Sequence, residues 1–161
     1  MATNARLSAT AALALACAGL GCAVLPLYFP AFASRSPDSR TEVRVTRNFP
    51  GSDAEYRFRV EVTTTRGTSV IYREDRGSAI GLVEAHWSPN GDQVGVLVCN
   101  IFTKPLLVGY DVAHSQALDG SVFRSAIEDQ LGKKYSLAKG TDAVDWACSP
   151  AGSAAYSSRK R

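Results

Sequence analysis

Apolar and polar residues alternate in short stretches of the chain between residues 42 and 72, and this alternation predicts β-strands. In the clearest stretch, 56–62, apolar residues at every second position are separated by Arg or Glu, so one face is predicted to lie in the core and one in water. Shorter stretches at 43–45 and 70–72 predict strands before and after it. The arginines of the polar face are interpreted as a solvated surface, with a binding patch for an acidic partner as the alternative. Turns are predicted between these strands at Phe49–Gly51 and Thr65–Thr68.

The densest apolar stretch outside the N-terminus is 81–112. Both faces of its middle part, 94–99, are apolar, which is typical of a strand covered on both sides. A turn is predicted at 88–92, because a proline and a glycine there favour chain reversal, and another at 103–105. Sequential strands with short connections favour an antiparallel meander.

The period changes after this stretch. Residues 117–120 are interpreted as a loop, and Phe123, Ile127, Leu131 and Tyr135 then recur four apart, which predicts one amphipathic helix. We expect this helix to cover one face of the sheet. The fold class predicted is therefore α+β, mainly antiparallel β: a meander sheet of about six to seven strands with one amphipathic helix packed on it. A last short strand is predicted at 143–148, and the chain from Ser153 is expected to be a disordered tail with a basic end.

The residues around the turn at 88–92 resemble a known repeat. Trp87-Ser88-Pro89-Asn90-Gly91, followed by Val94-Gly95-Val96 and Tyr110-Asp111-Val112-Ala113, is similar to one blade of a WD40-like β-propeller of the TolB type. The family usually has Asp where this chain has Asn90. The resemblance covers about residues 81–113 only, whereas a closed propeller needs at least about four blades. It implies a meander in a protein that binds other proteins rather than one that catalyses a reaction.

The first residues differ in kind from the rest. The 28 residues from Leu7 to Ser34 carry no charge. This segment is longer than the apolar region of a signal peptide, which has roughly 7–15 residues. Leu7–Leu25 is about long enough to cross a bilayer, and Ala31-Phe32-Ala33 is typical of a cleavage site. Residues 1–33 are therefore either a signal peptide or an N-terminal membrane anchor.

Domain boundaries follow from this segment. Residues 34–40 are interpreted as a linker, 41–158 as one β-rich domain and 159–161 as a basic tail. The arginines between residues 35 and 47 would keep an uncleaved protein's domain in the cytoplasm under the positive-inside tendency. The cleavage-like site and two later cysteines favour export to the periplasm, the cell envelope or the extracellular space. The chain is expected to contact the membrane only through the N-terminal segment, if that segment is not cleaved.

Composition and motifs exclude several classes. A net charge of +3, spread along the chain, does not favour nucleic acid as a partner. The sequence contains no phosphate-binding glycine loop, calcium loop or metal-spaced cysteine pair, so neither a cofactor nor a metal is predicted.

Catalytic residues are few. The histidines are His86 and His114, and a Ser-His-Asp site could be assembled from His86, Ser88 and Asp92, although nothing in the sequence indicates that they converge. The sequence therefore predicts a non-catalytic exported cell-envelope protein that acts through protein contacts, with another envelope protein as its partner. The alternative is a small exported hydrolase that uses His86 or His114. Candidate binding residues are His86, Trp87 and Tyr110.

Two cysteines lie beyond the N-terminal segment, Cys99 and Cys148. An exported domain has one internal pairing available to it, so a Cys99–Cys148 disulfide is predicted. The alternative is two reduced, buried thiols in a cytoplasmic protein.

Overall fold

A computed structural model describes residues 28–48, 57–74, 80–100 and 105–159 of the chain. Eight strands form two four-stranded antiparallel sheets, each with its strands in chain order. The first sheet contains β1 Tyr28–Arg35, β2 Glu42–Asn48, β3 Phe58–Thr64 and β4 Gly67–Glu74. The second sheet contains β5 Ile80–Trp87, β6 Gln93–Asn100, β7 Leu106–Asp111 and β8 Gln116–Asp119.

The two sheets pack face to face because alternate residues of each are apolar. On the first sheet the inward side chains come from β2 and β3, and on the second mainly from β5, β6 and β7. The fully buried members of this core include Val43, Val45, Phe58, Val60, Val83, Val94, Val96 and Val98. The alternation predicted for 43–45 and 56–62 therefore gave the correct inner face where those residues are described.

The helices cover the other face of the second sheet. They are α1 Arg124–Tyr135, α2 Ala143–Ala147 and α3 Pro150–Arg159, preceded by a 3-10 turn at Gly120–Phe123. Ile127 and Leu131 of α1 are fully buried against Leu82 and Leu97, which point away from the first sheet. The predicted helix and its role as a cover are confirmed. The prediction that 94–99 is covered on both faces is confirmed as well.

Two glycines let the 3-10 turn approach the second sheet closely. A Cβ on Gly95 of β6 would lie 2.3 Å from Cβ and Cγ of Phe123. A Cβ on Gly109, directly opposite Gly95 on β7, would lie 3.0 Å from the carbonyl oxygen of Leu118. Glycine therefore leaves room for Phe123 at position 95 and for Leu118 and Gly120 at position 109.

The fold class is α+β with mainly antiparallel strands, but the strands divide between two sheets instead of one meander of six to seven. The alternation of β2 and β3 identifies an inner and an outer face, and an inner face is buried equally well by a facing sheet or by a helix. Sequence pattern alone therefore does not reveal where one sheet ends and the next begins.

Three local predictions were wrong. Residues 143–147 form a helix, because Asp142 caps it by accepting from the backbone N–H of Asp145 and residues 143, 144 and 147 share a buried face. The segment from Ser153, expected to be disordered, lies in α3 as far as Arg159. Residues 117–119 of the predicted loop 117–120 belong to β8, which pairs with β7 as an edge strand.

The N-terminal boundary also differs from the interpretation of 34–40 as a linker. Ser34 and Arg35 belong to β1, and Ser36 is 3% exposed in the turn that follows. Several predictions fall outside the described residues. These are the turn at Phe49–Gly51, residues 103–104 of the predicted reversal, residues 160–161 of the basic tail and residues 1–27 of the N-terminal segment.

No helix among the described residues is both long enough and apolar enough to cross a membrane.

Candidate functional site

The β1–β2, β3–β4, β5–β6 and β7–β8 turns meet at one end of the sandwich and enclose a cleft of about 330 Å³. We call this the end cleft. Each sheet contributes two turns, because strands that alternate in direction place every second connection at the same end. Its lining includes Asp38, Arg40, Thr64, Thr65, Arg66, Thr68, Asn90, Asp92, Tyr110 and Ser115.

The turn between β1 and β2 is held by a buried serine. Ser36 Oγ donates to Asp38 Oδ1 at 2.6 Å and accepts from the backbone N–H of Thr41 at 3.0 Å. Asp38 also accepts from the backbone N–H of Arg40 at 3.1 Å. The Ser36 hydroxyl, followed by that N–H, lowers the pKa of Asp38 below its ordinary value. The cleft-lining carboxylate therefore stays ionised and fixed in place.

The turn between β5 and β6 contains two members of the conceivable Ser-His-Asp site. Ser88 Oγ donates to Asn90 Oδ1 at 2.8 Å and accepts from the backbone N–H of Gln93 at 2.9 Å. Asn90 Nδ2 donates to Asp92 Oδ2 at 2.6 Å. Ser88 and Asp92 are thus engaged in the turn itself, and Gly91 turns the chain at a φ of 77°.

His86 lies on the face of the second sheet that the helices cover. Its Nδ1 is 3.3 Å from Gln130 Oε1 on α1. Gln130 in turn donates to Glu84 Oε1 at 2.7 Å, and Lys134 pairs with Glu84 at 2.5 Å. Glu84 is 6% exposed, so this group of contacts fixes α1 on the second sheet. Neither hydrogen bonds nor ion pairs bring His86 to Ser88 or Asp92.

His114 is in the turn between β7 and β8, next to Ser115 of the end cleft. Its Nδ1 lies 3.1 Å from Asp111 Oδ1, and its backbone N–H donates to the same oxygen at 2.9 Å. Asp111 is buried and also accepts from Gln93, and the backbone N–H of His114 is the largest cause that lowers the pKa of Asp111. The His114 side chain is 73% exposed. An aspartate on Nδ1 is the kind of contact that orients a histidine general base.

The three candidate binding residues are separated. Tyr110 is 8% exposed and lines the end cleft. Trp87 points into the space between the sheets, and its Nε1 donates to Ser34 Oγ of β1 at 3.1 Å. His86 faces the helices. The structure therefore assigns one of the three to the cleft and gives the other two packing contacts.

Sequence reasoning missed the residues that form the rim of the cleft. The sequence predicts Thr65 and Arg66 as a turn. The structure places them at the tip of the β3–β4 hairpin, where they line the end cleft. A general signal was present, because turns of antiparallel sheets are where binding residues concentrate. Which turns share one end of the molecule depends on the division into two sheets, and that was not predicted.

No group of three or more His, Cys, Asp or Glu side chains suited to a metal occurs in the part of the chain that the structure describes.

The sequence matches no family model and no curated protein. The chemistry of the end cleft and its surroundings is therefore interpreted from the residues themselves.

Trp87→Ala is expected to lower the free energy of unfolding by about 3 kcal/mol, because the indole packs against the core between the sheets and bonds to β1. His86→Ala is the matched control, with an expected loss of about 1 kcal/mol for one long hydrogen bond. Urea denaturation of the two variants measures the difference. Equal, small losses would contradict the assignment and mark Trp87 as a surface contact residue.

Proposed function

We propose that this chain is a non-catalytic, exported cell-envelope protein that binds another protein through the end cleft. The observation that carries the proposal is the convergence of turns from both sheets on one polar cleft. Turns on a rigid sandwich are the usual place for binding residues, because the scaffold fixes them while their side chains remain accessible.

The chemistry of the cleft suits a polypeptide better than a small apolar ligand. Threonine and serine hydroxyls line it, and its charges are of both signs, from Arg40, Arg66, Asp38 and Asp92. Small-molecule sites are mostly apolar with a few polar groups. A surface of mixed charges and hydroxyls instead matches a protein loop, which offers backbone amides, carbonyls and side chains of both charges. The resemblance of residues 81–113 to a propeller blade implies the same class of function.

Export is supported by the disulfide. Cys99 and Cys148 are bonded, with their Cα atoms 4.8 Å apart. Disulfides persist in the periplasm and outside the cell and are rare in the cytosol. The predicted pairing is confirmed, and it favours an oxidising compartment over the cytoplasmic alternative. This preference applies to an uncleaved chain as well, although the arginines between residues 35 and 47 would place its domain in the cytoplasm under the positive-inside tendency.

Of the two interpretations of residues 1–33, we favour the retained anchor. Residues 28–33 pair with β2, and Ser34 accepts the Trp87 hydrogen bond. Cleavage after Ala33 would remove most of β1 and expose the edge of β2. The intact mass of protein purified from the envelope is therefore expected to be that of the full chain of 161 residues. A mass that begins at Ser34 would contradict this and would restore the signal-peptide interpretation.

Arg66→Glu is expected to abolish capture of the partner from native envelope extract. Arg66 is exposed at the cleft rim, and its side chain forms no ion pair with another described residue, so the change should leave the fold intact. Lys139→Glu, in the exposed loop between α1 and α2, is the matched charge reversal. Comparing the proteins captured by both variants and the parent chain tests the cleft. A partner lost equally with both, or with neither, would show that the cleft does not bind it.

A small hydrolase is the second candidate, and the Asp111–His114 contact favours His114 over His86 for it. No described serine hydroxyl, however, forms a hydrogen bond with His114. Labelling by a serine-reactive phosphonate that is lost in His114→Ala would favour the hydrolase over the binding protein.

A further inference from the structure

Among the residues that the structure describes, charge is distributed unequally between the two sheets. The described residues of the first sheet and its turns, 28–48 and 57–74, contain eight arginines, no lysine and four acidic residues. Residues 80–100 and 105–159, which form the second sheet and the helices, contain eight acidic and five basic residues. The helices pack on the second sheet, so within the described part of the chain the first sheet is the positively charged outer layer.

The outer face of the first sheet presents guanidinium groups and covers its carboxylates. Glu42 pairs with Arg35 at 3.0 Å and with Arg44. The Glu42 side chain is 14% exposed, whereas those of Arg35 and Arg44 are 68% and 49% exposed. Arg44, followed by Arg35, lowers the pKa of Glu42, so this carboxylate stays ionised and positions two arginines. Because two cations share one anion here, the face keeps a net positive charge.

The same construction recurs on β3. Glu61 pairs with Arg59 at 2.5 Å, and its side chain is 12% exposed. Arg59 Nε also donates to Thr46 Oγ1 on β2. The register places Arg73 of β4 directly opposite Arg59. Arg73 is exposed and forms no ion pair with any residue that the structure describes. Like charges opposite each other on neighbouring strands repel, and an anion supplied from outside relieves this repulsion.

We propose that this arginine face, formed by Arg35, Arg44, Arg59 and Arg73, docks on an anionic phospholipid surface. Guanidinium groups bind phosphate in a bidentate manner, and a lipid surface presents many phosphates side by side, so several arginines of one sheet face can bind at once. The position of the first sheet in the chain also supports a lipid surface as the partner. The apolar segment 7–25 ends shortly before Tyr28, the first residue of this sheet. A retained anchor thus holds the first sheet close to the membrane, and in this respect the inference rests on the proposed function.

The test uses the full chain in lipid nanodiscs of phosphatidylcholine, with or without phosphatidylglycerol, whose acyl chains are brominated close to the headgroup. Val70 is 45% exposed on the outer face of the first sheet, and Val122 is 67% exposed on the helix side. Tryptophan introduced by Val70→Trp should be quenched at least about two-fold more with phosphatidylglycerol than without it. Tryptophan introduced by Val122→Trp should not respond. Fluorescence is measured relative to the parent chain, which contains Trp87 and Trp146.

Charge variants test the cause. In the Val70→Trp chain, Arg44→Gln or Arg73→Gln should each lower the ratio of docked to undocked protein by about five-fold, since each basic residue near an anionic surface contributes about that factor. Lys133→Gln and Lys139→Gln on the helix side should leave it unchanged. High salt should abolish the lipid dependence, because it screens surface charge.

Quenching that ignores phosphatidylglycerol, or that is equal at residues 70 and 122, would overturn the proposal. So would an acidic protein partner that is captured by the parent chain and lost in Arg44→Gln and Arg73→Gln, because the face would then bind that protein. Failure of the proposed function is read separately. If the anchor has been cleaved, the intact mass of the reconstituted chain is lower than that of the full chain. If the cleft does not bind a protein, Arg66→Glu does not change the proteins that are captured.

Discussion

Replacement of both Cys99 and Cys148 by alanine is expected to lower the free energy of unfolding by roughly 4 kcal/mol. The bond joins residues 49 apart in sequence and links the end of β6 to the residue after α2. Without it, the unfolded chain gains the freedom of a large open loop. Cys99 is also 1% exposed within the core under the helices, so its replacement removes packing as well as the bond.

Guanidinium denaturation of the oxidised parent, the reduced parent and the double alanine variant measures this effect. Cys17→Ala with Cys22→Ala is the control, because those cysteines precede the domain and should leave its unfolding unchanged. Reduction should reproduce most of the loss seen in the alanine variant. A loss below about 1 kcal/mol would mean that the helices and β6 are held together without the bond.

Gly95→Ala is expected to cost about 3 kcal/mol, because the added methyl would lie 2.3 Å from Cβ and Cγ of Phe123. These atoms lie at the base of the phenylalanine side chain, so no rotation of the ring relieves the contact. The backbone of the 3-10 turn would have to move. That turn is itself confined, since a Cβ on Gly120 would lie 2.2 Å from the carbonyl oxygen of Leu107.

Gly132→Ala is the matched control for the same chemical change. Nothing lies within 4 Å of a Cβ at this position in α1, so alanine should stabilise the helix by about 0.5–1 kcal/mol. Thermal unfolding of both variants should therefore show changes of opposite sign. A Gly95→Ala protein as stable as the parent would contradict the close approach of Phe123 to β6.

The parts of the fold that follow from periodicity were predictable from the sequence. Two apolar faces in 94–99 indicated a strand between two layers, and the four-residue spacing from Phe123 indicated α1. The disulfide followed because only Cys99 and Cys148 lie in the domain. In each case a single local pattern allowed one arrangement.

Other parts depend on contacts between distant residues. The apolar pattern of β1 overlaps the N-terminal apolar segment, so the strand was assigned to a signal peptide or anchor. The five residues of α2 are too few for a helical period to be distinguished from the alternation of a strand. The cap at Asp142 determines that they form a helix. Of the site, Tyr110 was predicted, but the end cleft was not, because it exists only where turns of two sheets meet.

The order of the strands has a consequence for how the domain folds. Every pair of neighbouring strands in both sheets is also consecutive along the chain. Loops of about ten residues close in roughly 10–100 ns, so each pairing is reached by a fast local search. The slow steps are then docking of one finished sheet on the other and placement of the helices, which join residues distant in sequence. We expect the apolar inner faces of both sheets to be exposed to solvent before they dock. The chain is therefore expected to be most prone to aggregation at that stage.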